Sequence, residues 1–178
     1  EGTMGRIPGG CRLVSTAEDV DNLAVKDPKK LAYITQTTLS VDDTREVIEA
    51  PKKRFPDIIG PDVKDICYAT QNRQAAVREL AAEVDLLLVV GARNSSNSNR
   101  LREIGDEMGV PSYLIDDATM LNPAWLGKAK SVGISAGASA PEELVREVIA
   151  KLGEIGDITV EKMNGVEENI QFKLPRVL

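Results

Sequence analysis

DLLLVV, residues 85–90, is the stretch that most narrows what this chain can fold into. A strand with one wet face alternates apolar and polar residues. From Leu86 to Val90 this one is apolar at both parities, the pattern of a strand covered on both faces within a parallel sheet. Parallel neighbours need crossover connections, and helical patterns stand on either side to supply them. Val77, Leu80, Ala81 and Val84 recur at i, i+3, i+4 and i+7 before the strand, and Leu101, Ile104 and Met108 line a helix after it. SYLID (112–116) and SVGIS (131–135) read as further strands, with a short helix in PAWLG between them. Leu144, Val145, Val148, Ile149 and Leu152 make the apolar face of a last helix.

An earlier series has the same rhythm. CRLVS reads as a strand and TAEDVDNLAV as a helix; LAYIT (31–35) reads as a second strand, then QTTLS leads into the helix VDDTREVIEA. Pro51 predicts the end of that helix near Glu49, because proline lacks the N–H that the next turn requires. DIIGPDVKD (57–65), with its Gly-Pro, reads as a connection between domains. Alternating strands and helices predict an α/β fold of two small parallel-sheet domains, the first short of strands. The expected bounds are 1–62, a partial α/β domain; 63–152, a fuller one; and 153–178, an extended tail that packs on another part of the molecule.

Composition removes several functions. The chain of 178 residues carries 22 Lys plus Arg against 28 Asp plus Glu, a formal charge of −6, which argues against a general nucleic-acid or membrane-surface binder. A small anion remains possible, since helix N-termini hold anions locally. There is no histidine, so no His-based triad or His-ligated metal lies within these residues. Two cysteines, Cys11 and Cys67, are too few for a disulfide scaffold and suit a reducing compartment. No run approaches the ~20 apolar residues of a membrane span. The opening EGTMGRIPGG has no signal-peptide pattern, and a chain opening on Glu1 rather than Met predicts a fragment.

Three strand ends share one chemistry. ITQTTLS, VGARNSSNS and ISAGASAPEE each pass from a strand into small hydroxyl and amide residues and then into a helix. Ligands of parallel α/β sheets bind at the carboxyl ends of strands, and the free N–H groups of a following helix favour an anion there. Neither GxxxxGK[ST] nor GxGxxG occurs. Capping alone would explain Ser40 with Asp43 and Ser139 with Glu142, both S/T-x-x-[DE] boxes. It does not explain residues 94–99, because one cap needs no five polar neighbours; a cluster of uncharged donors suits a phosphate. Cys67, in DICYATQNRQAAV, stands at a helix start, where the dipole favours a thiolate, although a free cysteine is more often core. One thiolate cannot hold zinc or an iron–sulfur cluster by itself. Cys11 reads as packing, and Asp42/Asp43 and Asp116/Asp117 as solvated or capping carboxylates.

TQTTLSVDDT, DICYATQNRQ, ARNSSNSNRL and SAGASAPEEL, in this order and at these intervals, closely resemble the hydroxymethylbutenyl diphosphate reductase, or LytB, family. The resemblance runs from Glu1 into the tail. It implies a three-domain α/β architecture around a 4Fe-4S cluster held by three cysteines, of which Cys67 matches one. It implies reduction of hydroxymethylbutenyl diphosphate to isopentenyl and dimethylallyl diphosphates, the last step of the methylerythritol phosphate route to isoprenoids. Ser95, Ser96, Asn97 and Ser139 match the family's diphosphate ligands, and Thr37 matches a hydroxyl near the substrate's own. An electron donor such as ferredoxin or flavodoxin is implied, as is a cytoplasmic location, or a plastid one in a plant or alga.

The family motif H-P-E-V-E-G-T departs from this chain in one respect. Its first glutamate relays protons, and Glu1 matches the second, so no catalytic glutamate is expected within the chain. The family's histidines and its other two cysteines are also expected upstream, leaving the tail without the first domain it packs on. Two other readings of the residues stand beside this one: a non-catalytic diphosphate-binding α/β module, and a thiol-dependent transferase using Cys67, for which no neighbouring base is visible.

Overall fold

Leu86, Leu88 and Val90 face one way along β1 (Leu86–Val90), Leu87 and Val89 the other, and all five are buried. The computed structural model describes residues 2–7, 10–35, 41–61, 68–163 and 165, with side chains left out at 2, 3 and 41–44. Around β1 it assembles three layers. β2 (Ser112–Ile115) and β3 (Val132–Ala136) flank it in the order β2-β1-β3, all parallel, with Val90 opposite Ile115 on one side and Ala136 on the other. Helices α4 (Tyr68–Ala81) and α5 (Ser96–Glu107) cover one face, where Val77, Leu101 and Ile104 meet Leu87 and Val89. Helix α6 (Glu142–Ile155) covers the other, bringing Val148 and Leu152 onto Leu86, Leu88 and Val90. Two 3-10 turns, Ala118–Met120 and Pro123–Leu126, close that face, and Trp125 stacks on Tyr113 with ring centroids 3.9 Å apart. A strand apolar at both parities is thus served by two cores, as its sequence requires.

The earlier series folds differently from its sequence expectation. α1 (Gly2–Arg6) and α2 (Ala17–Asp21) are single short helices, and the CRLVS stretch has no regular structure, with Leu13 exposed. LAYIT contributes one parallel bridge, Ala32 to Ile59, and so the presumed connection at 57–65 supplies its pairing partner. Among the described residues no longer ladder forms there: a strand is stable only beside neighbours. Helix α2 covers half the predicted span because a capping box, Thr16 with Asp19, starts it and Asn22 ends it. QTTLS lies outside the described residues, as do the tail beyond 165 and Ser40 of one predicted cap.

Helix α3 (Val41–Arg54) does not stop at Glu49 but runs through Pro51. Ile48, Pro51 and Phe55 are buried along one face, and the Phe55 amide bonds the Pro51 carbonyl at 2.8 Å. Burial of that stripe outweighs the one hydrogen bond that proline withholds. From the last turn Arg54 donates back to the carbonyls of Val20 and Leu23, closing the end of α2. The predicted capping box of Ser139 with Glu142 does not form. α6 begins at Glu142 with Pro141 as N-cap and no side-chain cap, because the residue before a proline is pushed out of helical geometry and leaves Ser139 too early.

Candidate functional site

With strand order β2-β1-β3, the chain leaves β1 toward one neighbour and later returns to the other side. The crevice above the carboxyl ends of β1 and β3 is therefore the switch point where such sheets take their ligands. Gly91 follows β1 and Gly137 follows β3. The Gly91 amide bonds Ile115 O and the Gly137 amide bonds Val90 O, both at 2.9 Å, extending the sheet by one rung before the loops part.

The N-terminus of α5 sits over that rung, and the loop 91–95 is held by its own side chains. Ser95 is the N-cap, its Oγ accepting from the Ser98 amide at 3.3 Å. Asn99 Nδ2 donates to the carbonyls of Arg93, at 2.8 Å, and Ser95, at 2.9 Å. The Arg93 amide donates to Asp116 Oδ1, and its guanidinium pairs with the same carboxylate at 3.7 Å across exposed surface. Asp117 caps the next turn. Hydrogen bonds from the Thr119 hydroxyl and amide hold its carboxyl below the usual range, so both aspartates take the capping and solvated roles expected of them.

Ser98 and Asn99, in the first turn of α5, are consequently committed inward as buttresses, while Ser95 Oγ accepts in the cap. Ser96 is exposed at the first position of α5. Asn97 is the anomaly. It is only 6% exposed, and neither its Nδ2 nor its Oδ1 has a hydrogen-bond partner. A buried amide left unsatisfied costs about 1–3 kcal/mol, so it marks a place where a partner is expected. Its Nδ2 lies 3.8 Å from where a Gly137 β-carbon would stand, beside the turn Gly137–Ala140 that carries exposed Ser139. The fold thus brings Ser95, Ser96 and Asn97 together at a helix N-terminus, next to the loop bearing Ser139. Thr37 and Cys67 lie outside the described residues.

Sequence reasoning passed over Ser98, Gly91 and Gly137. A β-carbon on either glycine would fall well inside 3.0 Å of Ser98 Oγ, so both positions must be glycine where that serine stands. The signal was available as a glycine at the end of each strand pattern. An open cleft of about 530 Å³ elsewhere, between α2 and α3, is lined by Ala17, Glu18, Asp21, Ala50, Lys53 and Arg54. Its Arg54 is already engaged with α2, which makes the cleft a poor reader of ligands.

The fold is that of an α/β protein of the parallel-sheet type, whose topological switch falls between β1 and β3. The LytB protein family model matches residues 1–153, and the chain belongs to that family. It is 60% identical over 178 residues to the 4-hydroxy-3-methylbut-2-enyl diphosphate reductase of Burkholderia pseudomallei, covering 100% of this chain and 57% of that protein. The reductase of the same name from Zymomonas mobilis is also 60% identical, with 52% of its length covered. The chain thus spans about half the length of the curated relatives it matches. The solved E-1-hydroxy-2-methyl-but-2-enyl-4-diphosphate reductase of Plasmodium falciparum superposes with a TM-score of 0.84 at 32% identity, over 98% of this chain and 56% of that one.

Proposed function

We propose that this chain is part of a 4-hydroxy-3-methylbut-2-enyl diphosphate reductase and contributes the seat for the substrate's diphosphate. The observation that carries the reading is the unpartnered amide of Asn97 at the N-terminus of α5, in a chain of the LytB family. Ser95, Ser96, Asn97 and Ser139 donate to the diphosphate oxygens, and the partial positive charge of the helix end adds to their attraction. Thr37 sits near the substrate's hydroxyl. Residues 1–62 and 63–152 form two of three domains, with 153–178 packing on the remaining one.

A 4Fe-4S cluster, held in part by Cys67, would relay electrons from an external donor to the substrate so that its hydroxyl could leave as water. Among the described residues no group of three His, Cys, Asp or Glu could hold a metal ion, and Cys67 lies outside them. Cys67 is our candidate for one of the cluster's thiolates. Ferredoxin or flavodoxin is the proposed electron source and the cytoplasm the proposed location. No helix among the described residues is long and apolar enough to cross a membrane.

The test joins this sequence to the remaining length found in its relatives and titrates the oxidised protein with hydroxymethylbutenyl diphosphate. Changing Ser96 and Asn97 together to Ala removes two hydrogen bonds to a charged group, worth roughly 3–5 kcal/mol, or about a hundredfold or more in affinity. An unchanged affinity with a lowered denaturant midpoint would make residues 94–99 a helix cap and place the diphosphate elsewhere.

A further inference from the structure

Resting on the diphosphate reading, we propose that Ser98 is a positioning residue that makes the Ser95 hydroxyl an obligate donor toward the diphosphate. Ser98 is only 1% exposed, and its Oγ is spent on Ser95 rather than on a ligand. Its Oγ donates to Ser95 Oγ at 3.1 Å, and its backbone amide donates to the same oxygen at 3.3 Å. A hydroxyl has two acceptor lone pairs and one proton. With both lone pairs engaged, Ser95 can only give its proton away, and the fitting recipient is an oxygen bearing none, such as that of an ionised phosphate. A helix cap requires just the amide contact. The second donor, from the Ser98 side chain, goes beyond capping.

The space for this device is built into the sheet. Ser98 occupies the room that β-carbons at Gly91 and Gly137 would claim, and is held between the first residues beyond β1 and β3. Unpartnered, buried Asn97 is the independent sign that a ligand belongs at this helix end. Ser98 acts one bond removed: it fixes which way Ser95 faces and in which sense it bonds.

The experiment is a double-mutant cycle on this sequence joined to the remaining length found in its relatives, with inorganic pyrophosphate titrated calorimetrically into wild type, Ser95→Ala, Ser98→Ala and the double variant. Losing the orienting bond should weaken binding roughly fivefold in Ser98→Ala, the equivalent of one neutral hydrogen bond. On the Ser95→Ala background the same change should cost nothing further, because there is no hydroxyl left to orient. Ser98→Cys, which keeps a weak S–H donor, should recover part of the loss, and covers the case in which the alanine variant folds poorly. Equal losses in both backgrounds would overturn the proposal, since a purely structural serine costs the same whether or not Ser95 is present. Wild type that binds no pyrophosphate would instead overturn the diphosphate reading, and this inference with it.

Discussion

The Asp85 carboxylate clasps Ser131 across the open end of the sheet, 46 residues away in sequence. Its Oδ2 accepts from the amides of Lys130, at 2.8 Å, and Ser131, at 3.1 Å, and from the Ser131 hydroxyl at 3.2 Å. In return the Asp85 amide donates to Ser131 Oγ and to Ser131 O, each at 3.1 Å. These residues immediately precede the paired positions Leu86 and Val132, so the clasp sets the register of β1 on β3 before the apolar rungs begin.

This clasp makes stability depend on pH. The Lys130 amide first, then the Ser131 amide and hydroxyl, hold the Asp85 carboxyl below the usual carboxylate range in the folded chain. A depressed folded value means stabilisation that is complete above about pH 4, where the unfolded carboxylate is ionised, and is lost as pH falls through the folded value. Asp85→Asn should therefore lower the urea midpoint at pH 7 and converge on wild type below the carboxylate range. Asp19 and Asp117 are depressed too, so the difference between the two proteins, rather than either curve, isolates Asp85. Parallel curves from pH 7 to acid would show that the clasp carries no charge-dependent stability.

Leu88 tests the two-sided burial of β1. It is fully buried in the core shared with α6, and Leu88→Ala should cost about 2–5 kcal/mol, while Leu88→Met should cost less than about 1.5. Leu13, 78% exposed, offers the contrast: its change to alanine should stay within about 0.5 kcal/mol. Chemical denaturation of the three variants measures all of this. A small loss at Leu88 would mean that the sheet repacks freely.

Pro51 lies within α3 and has no N–H to offer the Val47 carbonyl. Proline stands about 3 kcal/mol below alanine in a helix interior, and the buried ring gives part of that back through packing. Pro51→Ala should raise stability by roughly 1–2 kcal/mol, read from the denaturant midpoint. A loss would show that the ring's packing between α3 and its neighbours outweighs the restored hydrogen bond.

These elements also mark what the sequence could disclose. β1, α5 and α6 were legible because their periodicity is itself the record of which faces are covered: Leu86 to Val90 on both, Val148 and Leu152 on one. CRLVS and LAYIT misled because strand-like composition does not provide a sheet neighbour, and Ala32 found only Ile59. α3 passed the expected stop because the burial of Ile48 and Phe55 is a tertiary fact, invisible to a rule about one proline. At the site, residue types pointed to the loop 94–99, but the division of labour within it was hidden. Only the fold places Ser98 against Gly91 and Gly137 and leaves the Asn97 amide unpaired.

Asn97 should therefore show function and stability pulling apart. Without ligand, its buried Nδ2 and Oδ1 have lost water and gained no partner. Asn97→Leu keeps similar bulk, removes both polar atoms and favours the helix, so the midpoint without ligand should hold or rise by up to about 2 kcal/mol. The same variant should lose a measurable part of the stabilisation that pyrophosphate gives the wild type, because ligand binding raises stability by RT ln(1 + [L]/Kd) and Kd rises with the lost contacts. Thermal or urea unfolding with and without pyrophosphate reads both quantities in one series. If Asn97→Leu instead lowers the ligand-free midpoint by several kcal/mol and keeps the full pyrophosphate shift, the amide is a structural tie and the anion is held by other groups.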